Sequence, residues 1–142
     1  MKNSMKLEFE SKSTNESFAR ATVAAFVSRL DPTLEEISDI KTALSEAVTN
    51  AIVHGYEDNS EGIVTISCRI DGEEVTVTIA DAGKGIDDLE KALEPMYTSQ
   101  PEMERSGMGF TVMETFMDSM HVQSAPGEGT VVTMSKLIRK HL

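Results

Sequence analysis

Two alternating runs, 62–70 and 74–81, meet at Asp71-Gly72, and this pairing constrains the chain more than any other feature. Asp-Gly between two such runs is a strong hairpin signal, so the centre of the chain is expected to be an antiparallel strand pair. Apolar residues take every second position: Val64, Ile66, Cys68 and Ile70, then Val75, Val77 and Ile79. A hairpin with one apolar face is not stable alone and needs a covering layer.

The flanking sequence supplies helices for that layer. Ser13-Thr14-Asn15-Glu16 reads as a capping box opening a helix that runs to about Leu30. Asp31-Pro32 then punctuates the chain, and Thr33 with Glu36 forms a second box; Pro32 suits a first-turn position. The second helix carries Ile37, Ile40, Leu44, Ala47, Val48 and Ala51 as its apolar stripe and should reach about His54, before Gly55. A short strand precedes both helices at Lys6–Glu10. A third helix is expected from about Gly109 to Asp118, with Phe110, Met113 and Met117 on one side. Strands near 120–125 and 129–138 close the chain around Pro126-Gly127-Glu128-Gly129. The expected fold is a two-layer α/β sandwich, with helices on one face of a mixed, mostly antiparallel sheet.

Residues 82–106 lack periodicity and hold glycines and prolines, which predicts a loop with one helical turn; loops this long are usually lids or binding loops. The 142 residues fit one domain, 1–142. The net charge of −11 repels phosphate backbones, so no direct nucleic-acid binding is expected, and any nucleotide must be held by local devices. The single cysteine, Cys68, lies on the apolar side of its strand and reads as a core thiol in a reducing compartment. With no apolar leader and no apolar run near 18 residues, the expected location is cytoplasmic, without a membrane span.

Four local patterns carry chemistry. Glu46 and Asn50, four apart on the second helix, stack on one side. Together they can orient a hydroxyl and ligate a hard cation through oxygen, or they form only an exposed polar face. Asp81 shares the inward parity of Val75, Val77 and Ile79, and an unpaired carboxylate there is costly. The Gly83 and Gly85 that follow permit close backbone approach, so the site suits an exocyclic amine such as that of adenine; a plain strand-ending turn is the other reading. Gly107-Met108-Gly109 before a helix offers backbone N–H groups to an anion. Gly127-Glu128-Gly129-Thr130 taken alone is a hairpin turn. Arg105, just before the glycines, is placed to neutralise a transferring phosphoryl group, with Lys84 as the rival cation and a solvated lid residue as the alternative. His54 fits an interaction with the helix C-terminus, and Arg20 is either a partner contact or an ordinary exposed arginine.

In this order, Glu46-x-x-x-Asn50, Asp81-x-Gly83-x-Gly85, Gly107-x-Gly109 and Gly127-x-Gly129-Thr130 resemble the N, G1, G2 and G3 boxes of the GHKL superfamily. That superfamily groups gyrase, Hsp90, histidine kinases and MutL around the Bergerat ATP-binding fold. The resemblance spans about residues 33 to 138. Within it, Glu46-Ala47-Val48-Thr49-Asn50-Ala51-Ile52-Val53-His54-Gly55 is similar to the anti-sigma factors of sporulating bacilli, which are serine-protein kinases.

The resemblance implies ATP/ADP and Mg²⁺ as cofactors. It implies that Asn50 ligates the magnesium, Glu46 is the general base, and Asp81 bonds the adenine amine with water that Thr130 helps hold. Gly83 and Gly85 pass the base, Gly107 and Gly109 cradle the phosphates, and 86–106 form the ATP lid. It further implies a homodimer that binds a sigma factor and phosphorylates a serine on an anti-sigma factor antagonist. Two other readings stand beside it: an ATP-gated binding module with incidental hydrolysis, and the catalytic part of a histidine-kinase-like system. The last lacks sequence for a phosphoacceptor helical hairpin.

Overall fold

The computed structural model describes residues 1–94 and 109–139. Among these, five strands form one sheet: β1 (Lys2–Glu10), β2 (Ile63–Asp71), β3 (Glu74–Asp81), β4 (Ser119–Ser124) and β5 (Thr130–Leu137). Their spatial order is β1-β2-β3-β5-β4, and every neighbouring pair is antiparallel. The sheet is therefore not mixed. The reason lies in the first connection: two helices carry the chain away and back, so β2 begins with Ile63 opposite Glu10, the last residue of β1. β3 and β4 run the same way, but β5 lies between them. The hairpin at the centre is as expected, except that Asp71 pairs with Glu74 and the two loop residues are Gly72 and Glu73.

The helices are α1 (Asn15–Val27), continued as a 3₁₀ turn over Ser28–Leu30; α2 (Leu34–Thr49); a single turn, α3 (Leu89–Ala92); and α4 (Phe110–Phe116). The expected box at Ser13 does not form. Thr14 is already helical, no side chain caps α1, and Asn15 and Glu16 donate their N–H groups to the carbonyls of Lys12 and Ser13. The chain enters α1 through a tight turn off β1, which leaves no extended residue for a cap. The box at Thr33 does form, one residue after Pro32. Glu36 N–H donates to Thr33 Oγ1 at 3.1 Å, and Thr33 N–H donates to Glu36 Oε1 at 2.9 Å.

The core lies between the helices and the inward face of the sheet. Ile40, Leu44 and Val48 of α2, Val23 and Val27 of α1, and Met113 of α4 meet Ile66, Ile70, Val77, Ile79 and Met134, all essentially inaccessible to solvent. Cys68 belongs to this layer, and burial pushes its thiol up to about 12, so it is inert packing. Lys136, inward on β5, ties the helices together by donating to the Phe116 carbonyl at 2.8 Å and pairing with Asp39 at 3.4 Å.

Candidate functional site

The site begins where α2 changes its winding. The sequence predicts an α-helix to His54, but residues Asn50–Gly55 form a π-helical turn, in which Tyr56 N–H donates to Ala51 O at 2.9 Å. Such turns are rare and gather at functional sites. This one swings Asn50, His54 and Gly55 toward the end of β3, where all three line a cleft.

The opposite wall is a row of polar residues across three strands. Asp81 faces Thr130 in the β3–β5 register, and Thr130 faces Ser124 in the β5–β4 register. Each shares the parity of its strand's buried residues: Ile79, Val132 and Val122. The row thus ends the apolar layer with oxygen atoms. Ala47, Ala51, Ile79, Ile86, Phe110 and Val132 supply apolar lining to the cleft. An apolar lining with a few convergent polar groups is the composition of small-molecule sites.

Glycines allow the walls to approach. A Cβ on Gly83 would lie 2.1 Å from the Gly55 carbonyl oxygen, which accepts the Lys84 N–H at 2.9 Å. A Cβ on Gly55 would press on the Asp81 carboxylate at 2.7 Å, and one on Gly129 would meet Asp81 O at 2.2 Å. Gly85 takes φ +76° against Ala125, and Gly127 N–H donates to Lys84 O at 2.6 Å. Tyr56 braces the assembly: its hydroxyl donates to Ile63 O at 2.6 Å and accepts from Ala82 N–H at 2.7 Å.

Of the residues singled out from the sequence, Asn50, His54, Asp81, Gly85 and Thr130 line the cleft, with Gly83 directly behind Asp81. Gly109 caps α4 in the left-handed conformation, and a Cβ there would lie 2.3 Å from Glu46 Oε2. Glu46 itself opens onto a neighbouring groove with Arg20, Leu34, Ile37, Lys41 and Ser45. Arg20 bonds Glu16 at 3.1 Å and Ser45 at 3.3 Å. The rival cation Lys84 points to Glu57, 4.0 Å away. Arg105, Gly107 and most of the expected lid lie outside the described residues; of the lid, 86–94 contain the turn α3.

Sequence reading passed over Gly55, Tyr56, Ile86 and Ser124. Ser124 was legible in principle, because it shares the inward parity of Val122, as Asp81 shares that of Ile79.

Two carboxyls in and beside this cleft are perturbed. Burial raises Asp81 above its ordinary value, and hydrogen bonds from the Gly83 and Thr130 backbones pull it part of the way back. Glu46 is also raised, mostly by loss of water and secondarily by the charge of Glu16. Among the described residues no group of three or more His, Cys, Asp or Glu could cage a metal. An ion at Asn50 would need phosphate oxygens and water as its other ligands, which is the habit of Mg²⁺.

Residues 9–136 match the histidine kinase-like ATPase domain family. The chain is also 60% identical over 134 residues to the anti-sigma F factor of Clostridium beijerinckii, covering 94% of each chain. It belongs to the anti-sigma F factor family. The member from Thermoanaerobacter sp. is 61% identical over 136 residues, 96% of this chain and 94% of that one. Among solved structures, the RsbU and RsbW domains of Rv1364c from Mycobacterium tuberculosis superpose with a TM-score of 0.69 at 20% identity, over 96% of this chain and 32% of that one. The catalytic domain of histidine kinase ThkA gives 0.57 at 15% identity, over 94% and 96%. These two share the fold. Family membership makes the chain a kinase-like ATPase domain, and the glycine-walled cleft is its candidate ATP site. No helix among the described residues is long and apolar enough to cross a membrane.

Proposed function

We propose that this chain is an anti-sigma factor that binds and inhibits a sporulation sigma factor. In the same reading it is an ATP-dependent serine-protein kinase that phosphorylates and inactivates its anti-sigma factor antagonist. The observation that carries the kinase half is the position of Glu46. Its carboxylate stands beside Gly109 at the start of α4 yet opens onto an outer groove, so a protein hydroxyl can reach it from solvent.

Asp81 accepts the adenine amine, with Thr130 beside it, while Gly83 and Gly85 keep the backbone clear of the base. Gly109, at the start of α4, would offer its backbone to the phosphates, and the sequence resemblance gives Gly107 the same part. Asn50 would hold Mg²⁺, and the ion would supply positive charge to the phosphates. Glu46 takes the proton of the acceptor serine as its oxygen bonds the γ-phosphorus, and the bond to the β–γ bridging oxygen breaks to release ADP. The raised pKa of Glu46 suits a base, because a weaker acid is a better proton acceptor. Arg105 stabilises the charge on the transferring group. A cytoplasmic homodimer, with residues 86–106 as its ATP lid, completes the reading and rests on the resemblance of sequence.

The test is incubation of the purified chain with γ-labelled ATP, magnesium and the purified antagonist. Acid-stable label on one serine of that protein is the expected result. A chain that binds ATP but never labels the antagonist would reduce it to an ATP-gated binder.

A further inference from the structure

The row Asp81–Thr130–Ser124 contains a hydroxyl that belongs to none of the glycine motifs. Ser124 Oγ lies 2.8 Å from Ile86 N, 2.9 Å from Gly129 O and 2.9 Å from Thr130 Oγ1. A backbone N–H only donates, a carbonyl only accepts, and a hydroxyl has one proton and two lone pairs. Ile86 therefore fills one lone pair of Ser124, and the Ser124 proton goes to Gly129. The remaining lone pair takes the Thr130 proton. Thr130, which lines the cleft, is left with lone pairs only on that side. The ionised Asp81 opposite it in the ladder is likewise only an acceptor.

We propose that Ser124 is a positioning residue for purine specificity: by holding the Thr130 proton, it makes this wall complementary to a 6-amino purine and hostile to a 6-oxo purine. The inference rests on the ATP reading above and adds the device that enforces it. A water held between Asp81 and Thr130 gives a proton to each, so it too can only accept from the ligand. A 6-oxo oxygen at that point meets lone pairs.

The test compares calorimetric titrations of ATP and inosine triphosphate, which carries a 6-oxo group. Ser124→Ala frees the Thr130 hydroxyl to turn its proton into the cleft, and the preference for ATP should fall by about 10-fold. Thr130→Val, which keeps the shape without the oxygen, should lower the preference similarly. Adding Ser124→Ala to Thr130→Val should then change it by less than about twofold, since no hydroxyl remains to orient. A loss of packing alone would not move this ratio. Parental preference in either single variant, or an equal fall on adding Ser124→Ala in both backgrounds, overturns the inference and leaves the ATP reading intact. A parent chain that does not prefer ATP overturns both.

Discussion

Asp81 ends an inward-facing row with a carboxylate that burial makes harder to ionise and that two backbone N–H groups help to charge. Replacing it by Asn keeps the size but presents a donor where the adenine amine needs an acceptor. A mispaired buried group costs about 1–3 kcal/mol, so Asp81→Asn should weaken ATP and ADP by the same factor, about 5- to 150-fold in calorimetric titration. Glu46 supports a second prediction through its raised pKa. A carboxyl whose folded value exceeds its unfolded one favours folding when protonated. That contribution is fully present below the ordinary value of 4.5 and is lost as pH rises through the folded one. At neutral pH the ionised side chain is therefore a burden on the fold. Thermal melts should place Glu46→Gln above the parent at neutral pH, with the gap closing as pH falls below about 4.5. The inward position of Asp81 was legible in the sequence from parity. Glu46 was not separable there from an exposed helix face, because spacing says nothing about which neighbours will strip water from a side chain.

The elements meet at glycines, and those glycines do different things. Gly72 sits at φ +64° with open space around it, whereas Gly83 has ordinary backbone but the Gly55 carbonyl 2.1 Å from any Cβ. Gly72→Ala should lose about 1–2 kcal/mol to left-handed strain and leave nucleotide affinity unchanged. Gly83→Ala should push the β3 end away from the π turn, and ATP binding measured by titration should fall at least about tenfold. Equal effects of the two on affinity would mean that the Gly55–Gly83 contact does not shape the site. Strands and helices were readable from periodicity, and the Thr33–Glu36 box from its two residues. The same pattern at Ser13 misled, because a cap needs an extended residue and the turn off β1 supplies none. The π winding was invisible, since no residue type prefers it; the contacts of Gly55 and Tyr56 with the β3 end exist only in the folded molecule.

At the scale of the molecule, one antiparallel sheet and its helices bring Asn50, Asp81, Gly85 and Thr130, from separate patterns of the sequence, to one cleft. The order of those patterns along the chain was the most informative feature of the sequence, though each alone read as a turn or a polar face. The net charge of −11 offers no excess of basic residues to attract a phosphate. The groove beside Glu46 carries two basic side chains, Arg20 and Lys41. The central claim is that this surface hands a phosphoryl group to a protein serine, with Glu46 as base. Single-turnover transfer from ATP to the antagonist, run beside ATP titrations on the parent and Glu46→Gln, tests it most directly. The account predicts transfer slowed about 10²–10⁴-fold with ATP affinity near parental. A Glu46→Gln chain that transfers at the parental rate would contradict it.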